Sequence, residues 1–305
     1  MIFRAFGLRV AARFALPELT EDDRFDGGID LELTLARADE VRDAFSGSAS
    51  PRLVHEAVLG DGCTYTTERG QEHDHLIDYV PRAVFHLDTP ATHVLCAPVD
   101  EAAPAWRRFL LDTVLATAAL VRGGEALHAA GVLTPRGVVA IAARTGGGKS
   151  TLTSEMMRRG NTLFTDDLLF LSGDRGTVVA HPGPPLMNLE PAMPAGLRAR
   201  DLGRIAATVD GEYWTEVERP RLASAAVAAV VFLDRGASVL SVEILPPNPL
   251  PLLANALQVN ADDDRATRQF ELFADLASQA TLISLHAPAD VSPESLADLV
   301  EAAKI

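Results

Sequence analysis

The sequence predicts an α/β protein with a β-rich N-terminal domain, and three observations carry that expectation. Residues 143–151, Ala-Arg-Thr-Gly-Gly-Gly-Lys-Ser-Thr, join an apolar strand to a helix through a glycine loop. Residues 29–36 alternate apolar and polar side chains, as do shorter runs nearby. Beyond residue 103 the pattern changes to strands alternating with runs of helical period.

In the first hundred residues Ile29, Leu31, Leu33 and Leu35 alternate with Asp30, Glu32, Thr34 and Ala36, the period of a half-buried strand. Further strands are expected over residues 3–10, 53–59, 83–87 and 93–97. The runs Asp26-Gly27-Gly28, Gly60-Asp61-Gly62 and Arg69-Gly70 separate them as turns. No catalytic constellation occurs there, so residues 1–103 are assigned to support, recognition or self-association.

Next, Trp106, Phe109, Leu110, Val114, Leu115, Ala118 and Val121 recur at helical spacing, and Gly123-Gly124 stops the run. This helix opens the second domain, residues 104–305, or bridges the two. Strands are expected over 126–130 and 138–142, around the turn Thr134-Pro135-Arg136-Gly137. A helix over 151–159 closes at Gly160, and a strand over 163–165 ends at Asp166-Asp167. Strands over 168–172, 177–181, 226–233 and 239–245 follow, with turns at Asp174-Arg175-Gly176 and Asp234-Arg235-Gly236. Helices over 250–259, 264–279 and 292–304 complete the chain, the last capped by Ser292 with Pro293 in its first turn. The proline-rich stretches 182–194 and 246–251 read as ordered connections.

Composition narrows the function classes. Of the 305 residues 48% are hydrophobic and 23% charged, a soluble globular profile. Lys and Arg total 27 against 42 Asp and Glu, a net charge of −15. That balance argues against a nucleic-acid partner, which needs a positive footprint, but leaves room for a small basic pocket. Cys63 and Cys96 are too few for a disulfide framework and are expected as buried thiols. The N-terminus lacks a signal-peptide core, and apolar runs such as residues 225–233 are too short to span a membrane. A cytoplasmic protein without a membrane partner is expected.

The glycine loop carries the chemistry. In the pattern G-x-x-x-x-G-K-[ST], backbone N–H groups point at phosphate oxygens, the lysine adds a charge, and the hydroxyl helps hold magnesium. Gly148, Lys149 and Ser150 fit it, whereas Ala143 replaces the first glycine, which alanine can do at negative φ. Thr145, Gly146, Gly147, Gly148, Lys149, Ser150 and Thr151 are therefore the expected nucleotide-binding residues, with ATP and Mg2+ as ligands. Asp166 and Asp167 follow Lys149 by 17 and 18 residues and are expected to return to the ligand-binding strand ends of an α/β sheet. One carboxylate would serve the metal and one would accept a proton. His128, 21 residues before Lys149, lies on the preceding strand, from which it can reach the same sheet edge.

The run Leu127-His128-Ala129-Ala130-Gly131-Val132-Leu133, the glycine loop, and Arg158-Arg159-Gly160-Asn161-Thr162-Leu163-Phe164-Thr165-Asp166-Asp167 together resemble the catalytic domain of HPr kinase/phosphorylase. The resemblance is close over residues 125–170 and loose up to 290. It implies a fold related to phosphoenolpyruvate carboxykinase, with a mixed sheet carrying the P-loop, and a kinase that phosphorylates a serine hydroxyl. By the same resemblance Asp166 is the general base, Asp167 and Ser150 stand at the metal, and His128 polarises or compensates charge. Arg219 and Arg221 fall where the family often places a basic residue near the transferred phosphate. The Arg-Gly-Leu-Gly run of the bifunctional enzymes is replaced by Pro184-Pro185-Leu186-Met187-Asn188-Leu189. The N-terminal hundred residues, opening Phe3-Arg4-Ala5-Phe6-Gly7-Leu8-Arg9-Val10 and Leu16-Pro17-Glu18-Leu19, instead resemble shorter HPr-kinase-related proteins, among them the lasso-peptide kinases, which implies a peptide acceptor such as the C-terminal serine of a precursor. A nucleotide-binding regulator without transfer, a kinase for HPr, and a kinase for a small hydroxylated metabolite are the alternatives. Self-association is left open.

Overall fold

The computed structural model describes residues 1–21, 27–45, 51–59, 62–174, 176–191, 197–257 and 263–303. Asp26, Gly60-Asp61, Arg175, residues 258–259 and Lys304, which the sequence assigns to turns or helix ends, lie outside them. The chain forms two compact units, one of residues 1–124 and one of residues 125–257 with the chain from 263 onward.

The first unit begins with β1 (Ile2–Ala5) and β2 (Leu8–Ala12), a hairpin where the alternation predicts one strand over residues 3–10. Phe6 and Gly7 both lie at positive φ, 54° and 82°, and make the two-residue turn that folds the strand back. There follow β3 (Leu31–Leu35), α1 (Ala38–Phe45), β4 (Arg52–Val58), β5 (Thr64–Arg69), β6 (His75–Val80), β7 (Ala83–Leu87) and β8 (His93–Pro98). The sheet runs β1-β2-β3-β8-β7-β6-β5-β4. β3 is parallel to both neighbours, and the other pairs are antiparallel. Val41 and Phe45 of α1 pack on Leu76, Val84 and Ala97.

A helical stretch closes this unit: α2 (Pro104–Phe109), a π-helical turn over Leu110–Val114, and α3 (Leu115–Val121). The division therefore falls at Gly124/Glu125 and not at 103/104. Phe109 shows why, stacking on Tyr79 with ring centroids 4.2 Å apart, while Trp106 leans on Phe14 at 5.6 Å. Helical periodicity says that a face is buried but not against which domain.

The second unit contains β9 (Glu125–Thr134), β10 (Gly137–Ala142), α4 (Lys149–Arg158), β11 (Thr162–Thr165), β12 (Leu168–Asp174), β13 (Thr177–His181) and β14 (Leu186–Leu189). It continues with α5 (Ala199–Leu202), β15 (Gly203–Val209), β16 (Glu212–Val217), β17 (Ala225–Asp234) and β18 (Ser241–Leu245). The last elements are α6 (Leu250–Leu253), α7 (Asp263–Gln279), β19 (Thr281–His286) and α8 (Pro293–Ala302). The main sheet is mixed and ordered β10-β9-β12-β13-β17-β19-β18, and β10 also pairs in parallel with β17. The path β10-β9-β12-β13-β17 thus returns to its start.

Alternation along β10 sets the two layers. Val138, Ala140 and Ala142 join a core with Leu127, Leu169 and Phe273 of α7. Val139 and Ile141 point the other way, to Leu152 and Met156 of α4 and Leu296 and Val300 of α8. The segment read as a proline-rich connection contains β14, which joins β16 and β15 in a separate antiparallel sheet. The helix expected over 250–259 is cut short at Leu253, because Ala256 bridges to Leu127 and the Leu257 N–H bonds the Ala126 carbonyl. The Ser292 hydroxyl accepts from the Ser295 N–H at 3.2 Å as an N-cap. Among the described residues no helix is long and apolar enough to cross a membrane, and Cys63 and Cys96 are buried and not joined in a disulfide.

Candidate active site

β10 delivers the glycine loop. Ala143 extends the strand, with its methyl buried beside Leu152 and Met156, so the missing first glycine is a continuation of the core. Two positions do require glycine. Gly148 caps α4 at φ 87°, a left-handed conformation that L side chains resist. A Cβ on Gly147 would stand 2.7 Å from the Arg144 carbonyl oxygen and 3.0 Å from the Ala143 methyl. The Gly147 N–H in turn donates to that carbonyl at 2.8 Å. Gly146 has φ 71° and open space where its Cβ would be. No side chain caps the first turn of α4, whose N–H groups and dipole favour an anion. Thr145 is exposed, and Ser150 and Thr151 are half-buried in the first turn.

Lys149 opens α4 yet is only 7% exposed. Its ammonium donates to His128 Nε2 at 3.0 Å and to the Ala143 carbonyl at 3.4 Å, and lies 4.0 Å from Asp167 Oδ1. His128 is on β9, next to β10, on the face that Val132 presents to α4. Its backbone N–H bonds the Asn255 carbonyl at 2.7 Å, which fixes the strand. Burial, and then the Lys149 charge, push the His128 pKa below the ordinary imidazole range. Asp167 opposes this through its charge and a backbone hydrogen bond. Neutral His128 is the form able to accept from an ammonium.

The two aspartates directly follow the end of β11 and stand at the break before β12. β11 and β12 both run antiparallel to β9, with Thr165 opposite Gly131 and Leu168 opposite His128. Between them Asp167 adopts φ 56°, and the Leu168 N–H bonds the Asp166 carbonyl at 2.6 Å in a three-residue turn. The buried Thr165 hydroxyl ties the kink by donating to the Leu168 carbonyl at 2.6 Å. The kink sends neighbouring carboxylates to different partners. Asp167, 46% exposed, faces Lys149, whereas Asp166 Oδ2 accepts the Asn188 N–H of β14 at 2.8 Å.

Among the residues expected at the site, the structure thus brings His128, Lys149 and Asp167 together and places Asp166 beside β14. Arg219 and Arg221 lie between β16 and β17, half-buried and exposed respectively. The anchor at Asn188 left no trace in the sequence, because a backbone donor has no residue signature. Asp234, at the end of β17, is legible in the sequence only as a turn residue, and His286, at the end of β19, is hidden because the sequence does not announce that strand. Arg158 and Arg159 are engaged by the buried Glu155 at 2.7 and 2.9 Å. A cleft lined by Met157, Arg158, Asn161, Leu197, Arg198 and Glu218 opens at the far end of α4 and shares no residue with the loop.

No protein-family model and no curated protein sequence matches the chain. Among solved structures, that of the Hpr(Ser) kinase/phosphatase from Coxiella burnetii is similar over 59% of this chain and 95% of that chain, with 13% identity and a TM-score of 0.32. The site geometry bears the weight of the functional reading.

Proposed function

We propose that the second unit is an ATP-dependent phosphotransferase acting on a serine hydroxyl of a peptide, such as the C-terminal serine of a lasso-peptide precursor. One observation carries the reading. Lys149 is buried at the start of α4, held by a neutral imidazole and a carbonyl, with a carboxylate no nearer than 4.0 Å among the described residues. A buried ammonium so sparsely compensated is suited to an incoming anion. The loop beside it, with Gly147 too crowded for a side chain, leaves the backbone bare for phosphate oxygens.

In this mechanism the N–H groups of residues 146–150 orient the phosphate chain, and Lys149 offsets charge on the group in transfer. His128 holds the ammonium in place before the nucleotide arrives. Asp166, oriented by the Asn188 N–H, takes the proton from the serine hydroxyl as its oxygen attacks the terminal phosphorus. The bond to the bridging oxygen breaks and leaves ADP. Catalysis is then mainly positioning and electrostatics. The Ser150 hydroxyl and the Asp167 carboxylate would hold magnesium, matching its habit of taking one or two protein ligands with substrate phosphates. When bound, that ion neutralises phosphate charge.

The test is transfer of label from γ-labelled ATP to a serine-ended precursor peptide, to HPr and to free serine. Labelling of the peptide is expected. Nucleotide binding with no transfer to any acceptor would reject the phosphotransferase and leave a nucleotide-binding regulator.

A further inference from the structure

Granted that the loop holds a nucleotide's phosphates, as proposed, the sugar end of that nucleotide has a direction. β10 lies between β9 and β17. Lys149, His128 and Asp167 gather on the β9 flank, where the terminal phosphoryl group would lie. In-line transfer puts the acceptor and the rest of the nucleotide at opposite ends of the reacting phosphorus. The nucleoside therefore leaves toward the β17 flank. There Ala142 pairs with Phe232, and a Cβ on Gly148 would stand 3.6 Å from Arg235 Cγ and 3.8 Å from Leu233 Cδ2.

Asp234 ends β17 at that edge and is built in on both oxygens. Oδ1 accepts the Gly236 N–H at 2.9 Å, and Oδ2 faces His286 Nδ1 at 3.4 Å. His286, opposite Asp234 in register, is held in turn by the Ser284 hydroxyl, 2.9 Å from Nε2. Arg235 is fastened by the carbonyls of Ala289 and Val291. The carboxylate itself stays 59% exposed and the imidazole 44% exposed.

A Ser-His-Asp chain also suggests a hydrolytic triad, and the geometry opposes that. Ser284 sits inside β19 with Phe232 of β17 on one side and Glu243 of β18 on the other. Its backbone belongs to two ladders and offers no pair of oxyanion donors. An ionised carboxylate only accepts hydrogen bonds, so its ligand must donate, as the adjacent hydroxyls of a ribose do. Acidic residues bind ribose in this way in other nucleotide folds.

We propose that Asp234, oriented by Gly236 and the His286–Ser284 pair, binds the ribose hydroxyls of the nucleotide and selects ribonucleotides over their 2′-deoxy forms. Calorimetric titration of the full chain with ATP, dATP and inorganic tripolyphosphate, each with magnesium, tests this. The wild type should bind ATP about tenfold more tightly than dATP, and Asp234→Asn should lower ATP affinity about tenfold. Tripolyphosphate, which lacks the sugar, should bind both proteins alike, and it also reports that the loop is folded in the variant. Normal tripolyphosphate binding with ATP and dATP equal, and with Asp234→Asn silent, overturns the ribose site and leaves the phosphate loop standing. Failure of the wild type to bind either ATP or tripolyphosphate overturns the phosphate loop itself, and the ribose site with it.

Discussion

A buried cation from the first unit and one from the second divide structure from function. Arg107 in the first unit and Lys149 in the second are 6% and 7% exposed. Arg107 is saturated: Nε and Nη2 reach Glu18 at 2.9 and 2.7 Å, and Nη1 donates to the Glu101 carbonyl at 2.6 Å. Arg265 in the second unit repeats this closed pattern, with Glu125 at 2.8 Å and Gln269 bonded to the same carboxylate. Lys149 has a neutral ring, one long bond to a carbonyl, and a carboxylate at 4.0 Å. Equal burial with unequal compensation marks which cation fixes the fold and which can receive a ligand.

The largest effect should come from removing the incompletely compensated cation. Lys149→Met is expected to lower phosphoryl transfer by about a thousandfold or more while leaving Tm nearly unchanged, since an apolar stem fills the same space. A collapse of Tm in that variant would place Lys149 with Arg107. Asp166→Asn should follow, with transfer reduced by about 10²–10⁴-fold as expected for loss of a general base and with nucleotide affinity kept. If Asp167→Asn instead gave the larger loss of transfer at saturating magnesium, the two carboxylates would exchange roles.

Arg107→Met sharpens the other side of the comparison. It removes the Arg107 guanidinium from the buried Glu18 carboxylate, a change worth about 3–5 kcal/mol of stability, read as a shift in chemical denaturation. Gly147→Ala should weaken nucleotide binding about tenfold with little change in unfolding, because the new methyl meets the Arg144 carbonyl within the loop.

The smallest effect concerns pH. Burial first, and then Lys149, hold the His128 pKa below its ordinary value of 6.5. A depressed folded-state pKa gives stability that is present above the unfolded value and lost as pH falls through the folded one. Stability should therefore begin to decline below about pH 6.5, and transfer only at lower pH, where the ring of the folded protein takes up a proton and can no longer accept from Lys149. His181, lowered mainly by burial, adds to the loss of stability. His128→Gln should flatten the acid limb of the transfer profile, and an unchanged limb would remove His128 from that role.

The residues that were legible in the sequence share a reason. Gly146 to Lys149 announce a backbone shape through residue type, and β7 and β13 match the expected strand bounds because turns flank them. β5, with Thr-Tyr-Thr-Thr-Glu-Arg over Thr64–Arg69, gave no apolar signal because its strand is fixed by cross-strand pairing. β19 follows α7 after Ala280 with no glycine or proline between them, so the change of period was hidden. In the site, His128 and Lys149 were readable as neighbours from strand order. The kink at Asp167 was not, since it depends on both β11 and β12 pairing with β9.

The most direct test of the central claim is calorimetric binding of magnesium-ATP to the wild type and to Lys149→Met, with Tm recorded for both. The account predicts a clear binding isotherm for the wild type, at least a tenfold loss in the variant, and matching Tm values. Equal affinity in the two proteins would contradict it.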